Sequence, residues 1–458
     1  MTVSTQPTTR RLPRWGMRLS ERRALLASGD ALCAALAALL AMWLWTFTSG
    51  ARFSGAYLLS KAPWFALLVA GWLLFNTGQY NLRRAASTQA TLAGLLSVAG
   101  LAVVVYLLVY FFAPPGLLPR LVFLYFVVSA CLLTSAWRLA YIRVFVSPYF
   151  QRRALVVGVG WAGAAIVAAL KEFQAWHYDV VGLIDDDPAK HGQVIQGVRV
   201  LGGHERLLEV AQREEVSELI LAITGEVGGG MFKALLDCQA NGLPIVRVLR
   251  LYEQITGRVP IEHLEADWII SSFIERVRLD SGFLIVKRAL DLIGGLAGLL
   301  LLLVLLPGVA LAIRLESPGP VFYRQMRAGQ AGRPIRLLKF RTMSDDAEAD
   351  GQARWASAED ERITRVGRLL RRARLDELPQ TWNVLKGEMS LVGPRPERPE
   401  FIAVLEEQIP FYRARLLVKP GLTGWAQINY GYGRSVADAQ VKLQHDLYYI
   451  KHQSSGWT

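Results

Sequence analysis

Cysteine, histidine and acid are scarce in this 458-residue chain, and each shortage closes off a class of protein. Its three cysteines, Cys33, Cys131 and Cys238, are odd in number and far apart, and the first two lie inside apolar runs. They build neither a disulfide framework nor a zinc site, a usage that fits a cytosol-facing protein. The six histidines show no ligand spacing and receive no role. Carboxylates number 38 against 51 lysines and arginines, giving a formal charge of +13. Nucleic acid, anionic lipid and phosphorylated small molecules all meet that balance. No small-residue cleavage pattern follows the basic start, so no cleavable signal peptide is read.

Charge is missing altogether over long stretches. A 52% hydrophobic composition with 13 tryptophans is too apolar for an ordinary soluble enzyme of this length. Four apolar stretches, at 24–47, 57–75, 90–112 and 118–145, each approach the ~20 residues a helix needs to cross hydrocarbon. Asp30 sits inside the first, where a capping or bundle-facing role weighs as much as a functional one. Basic residues concentrate in the tail (Arg10, Arg11, Arg14, Arg18, Arg22, Arg23), at Arg83 and Arg84, and at Arg138, Arg143, Arg152 and Arg153. That asymmetry makes the bundle start and end in the cytoplasm.

Next, Ala154–Val157 reads as a buried strand running into Gly158-Val159-Gly160-Trp161-Ala162-Gly163 and a helix. A second strand, Val180–Ile184, ends at Asp185, and further strands are expected at 218–223 and 244–248. Glycines for a tight turn, then an acid for a ribose hydroxyl, make a dinucleotide fingerprint and a Rossmann-like fold. The candidate nucleotide contacts are Gly158, Gly160, Gly163 and Asp185, although the same glycines equally serve strand-to-helix packing. A Tyr-x-x-x-Lys pair is absent here, which argues against a short-chain dehydrogenase or epimerase.

A linker over 251–283 leads to a run without charge from Leu292 to Ile313. Lys287 and Arg288 precede it, and Arg314, Arg324 and Arg327 follow. Basic flanks on both sides, with Pro307 available for a bend, favour a re-entrant or kinked membrane helix over 284–315; a plain crossing is the alternative. Beyond it, Ile335–Met343 alternates like a strand presenting bases on one side. An acidic loop (345–361) and an amphipathic helix marked by Ile363, Val366, Leu369 and Leu370 then deliver Asp376 and Glu377. On their own, two carboxylates beside arginines are either a solvated salt-bridge ladder or a phosphoryl-transfer site.

Six stretches together decide. Lys287-Arg288-Ala289-Leu290-Asp291, Ser317-Pro318-Gly319-Pro320-Val321-Phe322, Lys339-Phe340-Arg341-Thr342-Met343, Leu375-Asp376-Glu377-Leu378-Pro379-Gln380, the run Asn383 to Pro396, and Lys419-Pro420-Gly421-Leu422-Thr423-Gly424-Trp425 resemble the polyprenyl-phosphate hexose-1-phosphate transferases. These are large monotopic phosphoglycosyl transferases, within the bacterial sugar transferases. The resemblance implies transfer of hexose-1-phosphate from a UDP-sugar to undecaprenyl phosphate, with release of UMP, initiating exopolysaccharide or another lipid-linked glycan. It implies Asp376 as nucleophile through a covalent phosphosugar intermediate, and Asp376 and Glu377 as the residues that hold Mg²⁺. Arg371, Pro394, Arg395 and Pro396 would face phosphate and nucleotide, with Lys339 and Arg341 as additional phosphate contacts. Membrane lipids are implied partners and nucleic acid is not; the middle module is a candidate homodimer interface. A membrane-anchored nucleotide sensor with an inactive transferase part is the competing reading. Glucose is the preferred sugar over galactose, although nothing in the sequence reads the C4 hydroxyl.

Two departures from the family stand out: Arg374 replaces the usual Ser or Thr, and Leu306, not Ser, precedes Pro307. The chain also ends at Thr458, where relatives continue into an apolar stretch, and so reads as truncated. The expected architecture is an α/β membrane protein. It has a basic tail (1–23), four transmembrane helices (24–148), a Rossmann-like domain (149–250), the linker (251–283) and a small α+β catalytic domain (284–458). It would lie in the bacterial inner membrane as a multi-pass protein, its catalytic domain on the cytoplasmic face.

Overall fold

The computed structural model describes residues 19–50, 55–80, 82–112, 120–147, 150–173, 178–261, 281–343, 362–431, 433 and 435–453. Most of the expected basic tail, much of the linker and all of the acidic loop lie outside the described residues. The chain forms two compact units, residues 1–248 and 249–458.

The first unit opens with helices α1 (Leu19–Ser49), α2 (Gly55–Phe75), α3 (Leu82–Ala86), α4 (Thr88–Phe112) and α5 (Arg120–Phe145). α1, α4 and α5 are long and apolar enough to cross a membrane, and α2 contributes a shorter apolar stretch, Lys61–Phe75. Ala34, Ala37, Ala38 and Ala41 recur at helical spacing on one face of α1 and are buried in the bundle core with Trp72, Leu95 and Phe126. Small residues on that face let backbones approach closely, while Leu32, Leu36, Trp43 and Phe47 on α1 stay exposed, as lipid-facing residues do. Asp30 faces the bundle interior. It accepts from Nε and Nη2 of Arg138 at 3.2 and 2.5 Å, and both side chains are buried. Arg22 donates to the carbonyl of Phe145, which ends α5 and has no helical partner, and to that of Phe150 beyond the helix, at 2.7 and 2.6 Å.

The same unit continues into a six-stranded mixed sheet. Its strands are β1 (Arg152–Val157), β2 (Tyr178–Ile184), β3 (Val194–Ile195), β4 (Val198–Gly202), β5 (Glu218–Leu221) and β6 (Ile245–Arg247), in the order β3-β4-β2-β1-β5-β6. Only the β3–β4 pair is antiparallel. The strands expected from the apolar runs are present, interleaved with α6 (Trp161–Glu172), α7 (Leu207–Arg213) and α8 (Gly229–Ala240). With β2 and β5 on either side of β1, the chain reverses direction across the sheet at the carboxyl end of β1, which is the turn carrying the glycines. Gly158 has φ of +100°, and a Cβ on Gly163 would stand 2.1 Å from the Gly158 carbonyl oxygen. Gly158 therefore requires glycine for its backbone conformation and Gly163 for close packing, with no ligand needed to explain either.

The second unit begins at α9 (Val248–Thr256) and is dominated by the 36-residue α10 (Ser281–Glu316), which runs through Pro307 without interruption. A hairpin, β7 (Phe322–Ala328) with β8 (Pro334–Phe340), follows. Then come α11 (Arg365–Arg372), a 3₁₀ turn over Leu375–Gln380, α12 (Thr381–Lys386), β9 (Ser390–Val392), α13 (Pro399–Gln408), β10 (Gly421–Thr423, parallel to β9), α14 (Trp425–Asn429) and α15 (Val436–Lys451). One face of α10 is made of glycines. A Cβ on Gly294, Gly295 or Gly298 would meet Leu391, Leu385 or Thr381 at 2.5, 2.9 or 2.4 Å, so α12 and β9 close onto the bare backbone. Further along, Leu302 and Ile313 pack with Phe340 and Leu370. The other side leaves Ile293, Leu300, Leu303, Val304 and Leu311 exposed.

Candidate active site

Asp376 and Glu377 ride on the Leu375–Gln380 turn, and three local devices fix that turn. The Thr364 hydroxyl caps α11 by accepting from the Gly367 amide at 2.9 Å. Gly367 lets α11 lie against the Thr342 backbone, since a Cβ would sit 2.1 Å from the Thr342 carbonyl oxygen. Arg374 then adopts a left-handed conformation (φ 57°), which breaks α11 from the turn and redirects the chain. That is a costly state for a side chain longer than Asn, and it places the Arg374 guanidinium 4.0 Å from Glu377. The departure from Ser or Thr thus adds a cation beside the pair.

The two carboxylates are both buried but differ in partners. Glu377 accepts from Nη2 of Arg395 at 2.5 Å and from Lys339 Nζ at 3.4 Å, while Nη1 of Arg395 stands 3.4 Å from its other oxygen. Burial alone would lift its pKa; Arg395 and Lys339 outweigh burial and hold it at about 2. Asp376, 9% exposed, has no hydrogen bond or ion pair among the described residues. Burial and the neighbouring Glu377 charge raise its pKa against the pull of Lys339, Arg371 and Arg395. Lys339, desolvated and facing Arg395, is lowered to about 8. One carboxylate is thus tied into a cationic clamp, and the other is left basic and unencumbered.

Of the remaining expected residues, Arg371 donates from Nε to Thr342 Oγ1 at 2.9 Å, which braces it beside the pair. Pro394, Arg395 and Pro396 form a turn held at several backbone points. Gly421 N donates to Pro394 O (2.8 Å), Gly393 N donates to Thr423 O (2.8 Å), and Arg327 donates to Pro396 O (3.3 Å). Arg341 is placed differently. β8 ends before it, and its guanidinium donates to the carbonyls of Ser317 and Pro318, so it braces the turn after α10. Asp185, in the first unit, accepts from the Val159 and Asp187 amides at 2.7 and 3.0 Å and pairs with Lys190 at 3.2 Å. Its carboxylate therefore closes the glycine turn on itself.

In sequence, Lys287 and Arg288 are the basic flank of the apolar run and Asp291 only part of the motif; the structure gives all three specific partners. Arg288 donates to the Val384 and Leu385 carbonyls at 2.8 and 2.7 Å, satisfying the end of α12. Lys287 donates to Val392 O (3.1 Å), and Asp291 accepts from Ser390 Oγ and Leu391 N at 3.0 and 2.8 Å. At the far end of α10, Glu316 accepts from the amides of Arg365 and Val366 at 2.6 and 2.8 Å, at the start of α11. Both ends of the apolar helix are thus tied to the elements that carry and flank the Asp376–Glu377 turn.

The donor set can be tested against a divalent cation. Mg²⁺ is ordinarily held by one or two carboxylates together with substrate phosphate oxygens. The buried, undonated Asp376 meets that requirement, with Glu377 adjacent although already bonded by Arg395 and Lys339.

Comparison with known proteins agrees with this geometry. Residues 76–246 match the family described as a CoA-binding domain, and residues 283–457 match bacterial sugar transferase. The UDP-N-acetylgalactosamine-undecaprenyl-phosphate N-acetylgalactosaminephosphotransferase of Aeromonas hydrophila is 39% identical over 229 residues, 50% of this chain and 53% of that one. The undecaprenyl-phosphate glucose phosphotransferase of Komagataeibacter xylinus is 46% identical over 39% of this chain and 34% of its own. The chain thus spans about half or less of the length of these two. The exopolysaccharide production protein PSS of Rhizobium leguminosarum bv. phaseoli is 43% identical over 36% of this chain, and that match covers 86% of its own length. The matched region contains the clamped Glu377, the free Asp376 and the glycine-faced apolar helix, and on that match the chain belongs to the bacterial sugar transferase family.

Proposed function

We propose that this protein transfers a sugar-1-phosphate from a UDP-sugar to undecaprenyl phosphate, the first step of a lipid-linked glycan. The observation that carries the reading is the asymmetry of the buried pair, Glu377 neutralised by Arg395 and Lys339 beside an Asp376 with no partner among the described residues. In the first displacement an Asp376 carboxylate oxygen attacks the sugar-side phosphorus of the donor. The phosphoanhydride bond breaks, and UMP leaves with the bonding electrons. In the second, an oxygen of the acceptor phosphate attacks the same phosphorus, the acyl phosphate bond breaks, and Asp376 is restored. The raised basicity of Asp376 favours the first attack, and dividing the exchange gives ping-pong kinetics. Lys339, Arg371 and Arg395 spread the charge of two phosphorylated reactants that would otherwise repel. Asp376 and Glu377 would hold Mg²⁺, which when bound would add charge neutralisation on the diphosphate.

The acceptor's phosphate lies at a membrane surface, so the nucleophile must be held there. In this reading α10 enters and leaves the cytoplasmic leaflet of the inner membrane by one face. That is supported by ties to the same core at Arg288 and Glu316, and by the exposed leucines between them. The relatives' names include both N-acetylgalactosamine and glucose, so the sugar is proposed only as a hexose. Purified protein with Mg²⁺, undecaprenyl phosphate and a panel of UDP-sugars, read as UMP release, tests the reaction and names the donor. Absence of UMP release from every donor overturns the proposal.

A further inference from the structure

The turn that carries Arg395 is held at its Pro394 and Pro396 carbonyls by Gly421 and Arg327, and at the Arg395 carbonyl itself by a second, deeper arginine. Arg415, 5% exposed, sits on a 3₁₀ turn over Tyr412–Leu417. Its Nη2 donates to the Arg395 carbonyl oxygen at 3.0 Å and lies 2.9 Å from Oδ2 of Asp446, which α15 delivers and which is itself 1% exposed. Its Nη1 donates to the Tyr412 hydroxyl at 2.6 Å and stands 4.0 Å from Glu397, which also pairs with Arg327 at 3.5 Å. A buried arginine–aspartate pair is a poor way to stabilise a core, since apolar side chains of the same volume often do as well or better. This one spends its planar fork on a carbonyl in the turn that carries Arg395. Lysine has no such fork.

We propose that Arg415, oriented by Asp446, is a positioning residue for phosphosugar transfer: it sets the Arg395 peptide so that the Arg395 guanidinium meets Glu377 and the donor phosphate. This rests on the function proposed above. The order of action is Asp446 to Arg415, Arg415 to the Arg395 carbonyl, and Arg395 to Glu377. Neither Arg415 nor Asp446 need touch substrate. Burial raises the Asp446 pKa to about 6 even against Arg415, as expected for a carboxylate held inside for its partner.

The test is a double-mutant cycle on UMP release by the full chain in detergent or nanodiscs. Arg415→Lys should lower kcat/KM on the order of 10²-fold, mostly in kcat, the size of loss expected from a misplaced catalytic neighbour. Combined with Arg395→Lys, it should add little to the loss from Arg395→Lys alone, because both act at one contact. Asp446→Asn should show the same non-additivity and carries the test if Arg415→Lys does not fold. A purely structural role lowers the melting temperature and the folded fraction but leaves kcat per folded molecule unchanged. That outcome, or losses that multiply, overturns the relay alone. No UMP release by the wild-type chain overturns the functional reading and the relay with it.

Discussion

Arg395 bonds Glu377 at 2.5 Å from a turn eighteen residues downstream, and in doing so it divides two adjacent carboxylates into different chemical species. Of the two, it is Asp376 whose oxygens stay undonated among the described residues. Asp376→Asn should therefore cut UMP release by roughly 10³-fold or more with the melting temperature nearly unchanged. Intact-protein mass spectrometry with donor alone should find a sugar-phosphate adduct on the wild-type chain and none on the variant. Full activity in Asp376→Asn would remove the covalent route.

Lys339 supplies a pH dependence of definite sign. Burial and then Arg395 lower its pKa to about 8, so it is charged below that pH and neutral above. Transfer should decline as pH rises through about 8, and Lys339→Arg should extend the plateau to more alkaline pH. A profile identical in the two proteins would assign the alkaline limb to another group.

His445, given no role from sequence, is a structural clamp. Its Nδ1 faces the Gly257 carbonyl at 3.0 Å, and Nε2 accepts from Arg258 Nε at 3.1 Å, which fixes the neutral ring. Burial, then Arg258, depresses its pKa to about 4. Between about 6.5 and 4 the unfolded chain binds a proton that the folded chain refuses, so stability falls as pH drops through that window, by at most about 1.4 kcal/mol per pH unit. Thermal melts at pH 7 and pH 5 should differ less in His445→Gln, which keeps a donor and an acceptor without titrating.

In the membrane bundle, Asp30→Asn leaves the buried Arg138 charge without its counter-ion. The expected loss is about 3–5 kcal/mol, seen as a lowered melting temperature in detergent. Asp30→Leu with Arg138→Met should recover most of it. If the double variant is no better than the single, the pair itself is the source of bundle stability.

For α10, single cysteines at Gly282 and Arg314, in a background lacking the three native cysteines, should both label from the cytoplasmic side. Labelling from opposite sides would make the helix a crossing one and remove the proposed seat for the acceptor.

Much of this was legible along the chain, for a physical reason. Hydrocarbon thickness sets the length of an apolar run, and strand and helix periods set which residues share a face, so the bundle, the Ala154–Val157 strand, the glycine turn and the Asp376–Glu377 motif are all local patterns. Which partner a charge takes is not local. Arg341, Lys339 and Arg395 look alike as bases near a motif, yet Arg341 spends its guanidinium on a turn twenty-three residues earlier while Lys339 and Arg395 converge on Glu377. Arg415 carried no sequence signal, because its target is a backbone carbonyl and its counter-ion arrives on another helix. Composition and spacing determined that carboxylates, bases and a membrane segment are present. Only the tertiary structure decided which carboxylate is clamped and which is left free, because burial and distance between remote residues set that balance.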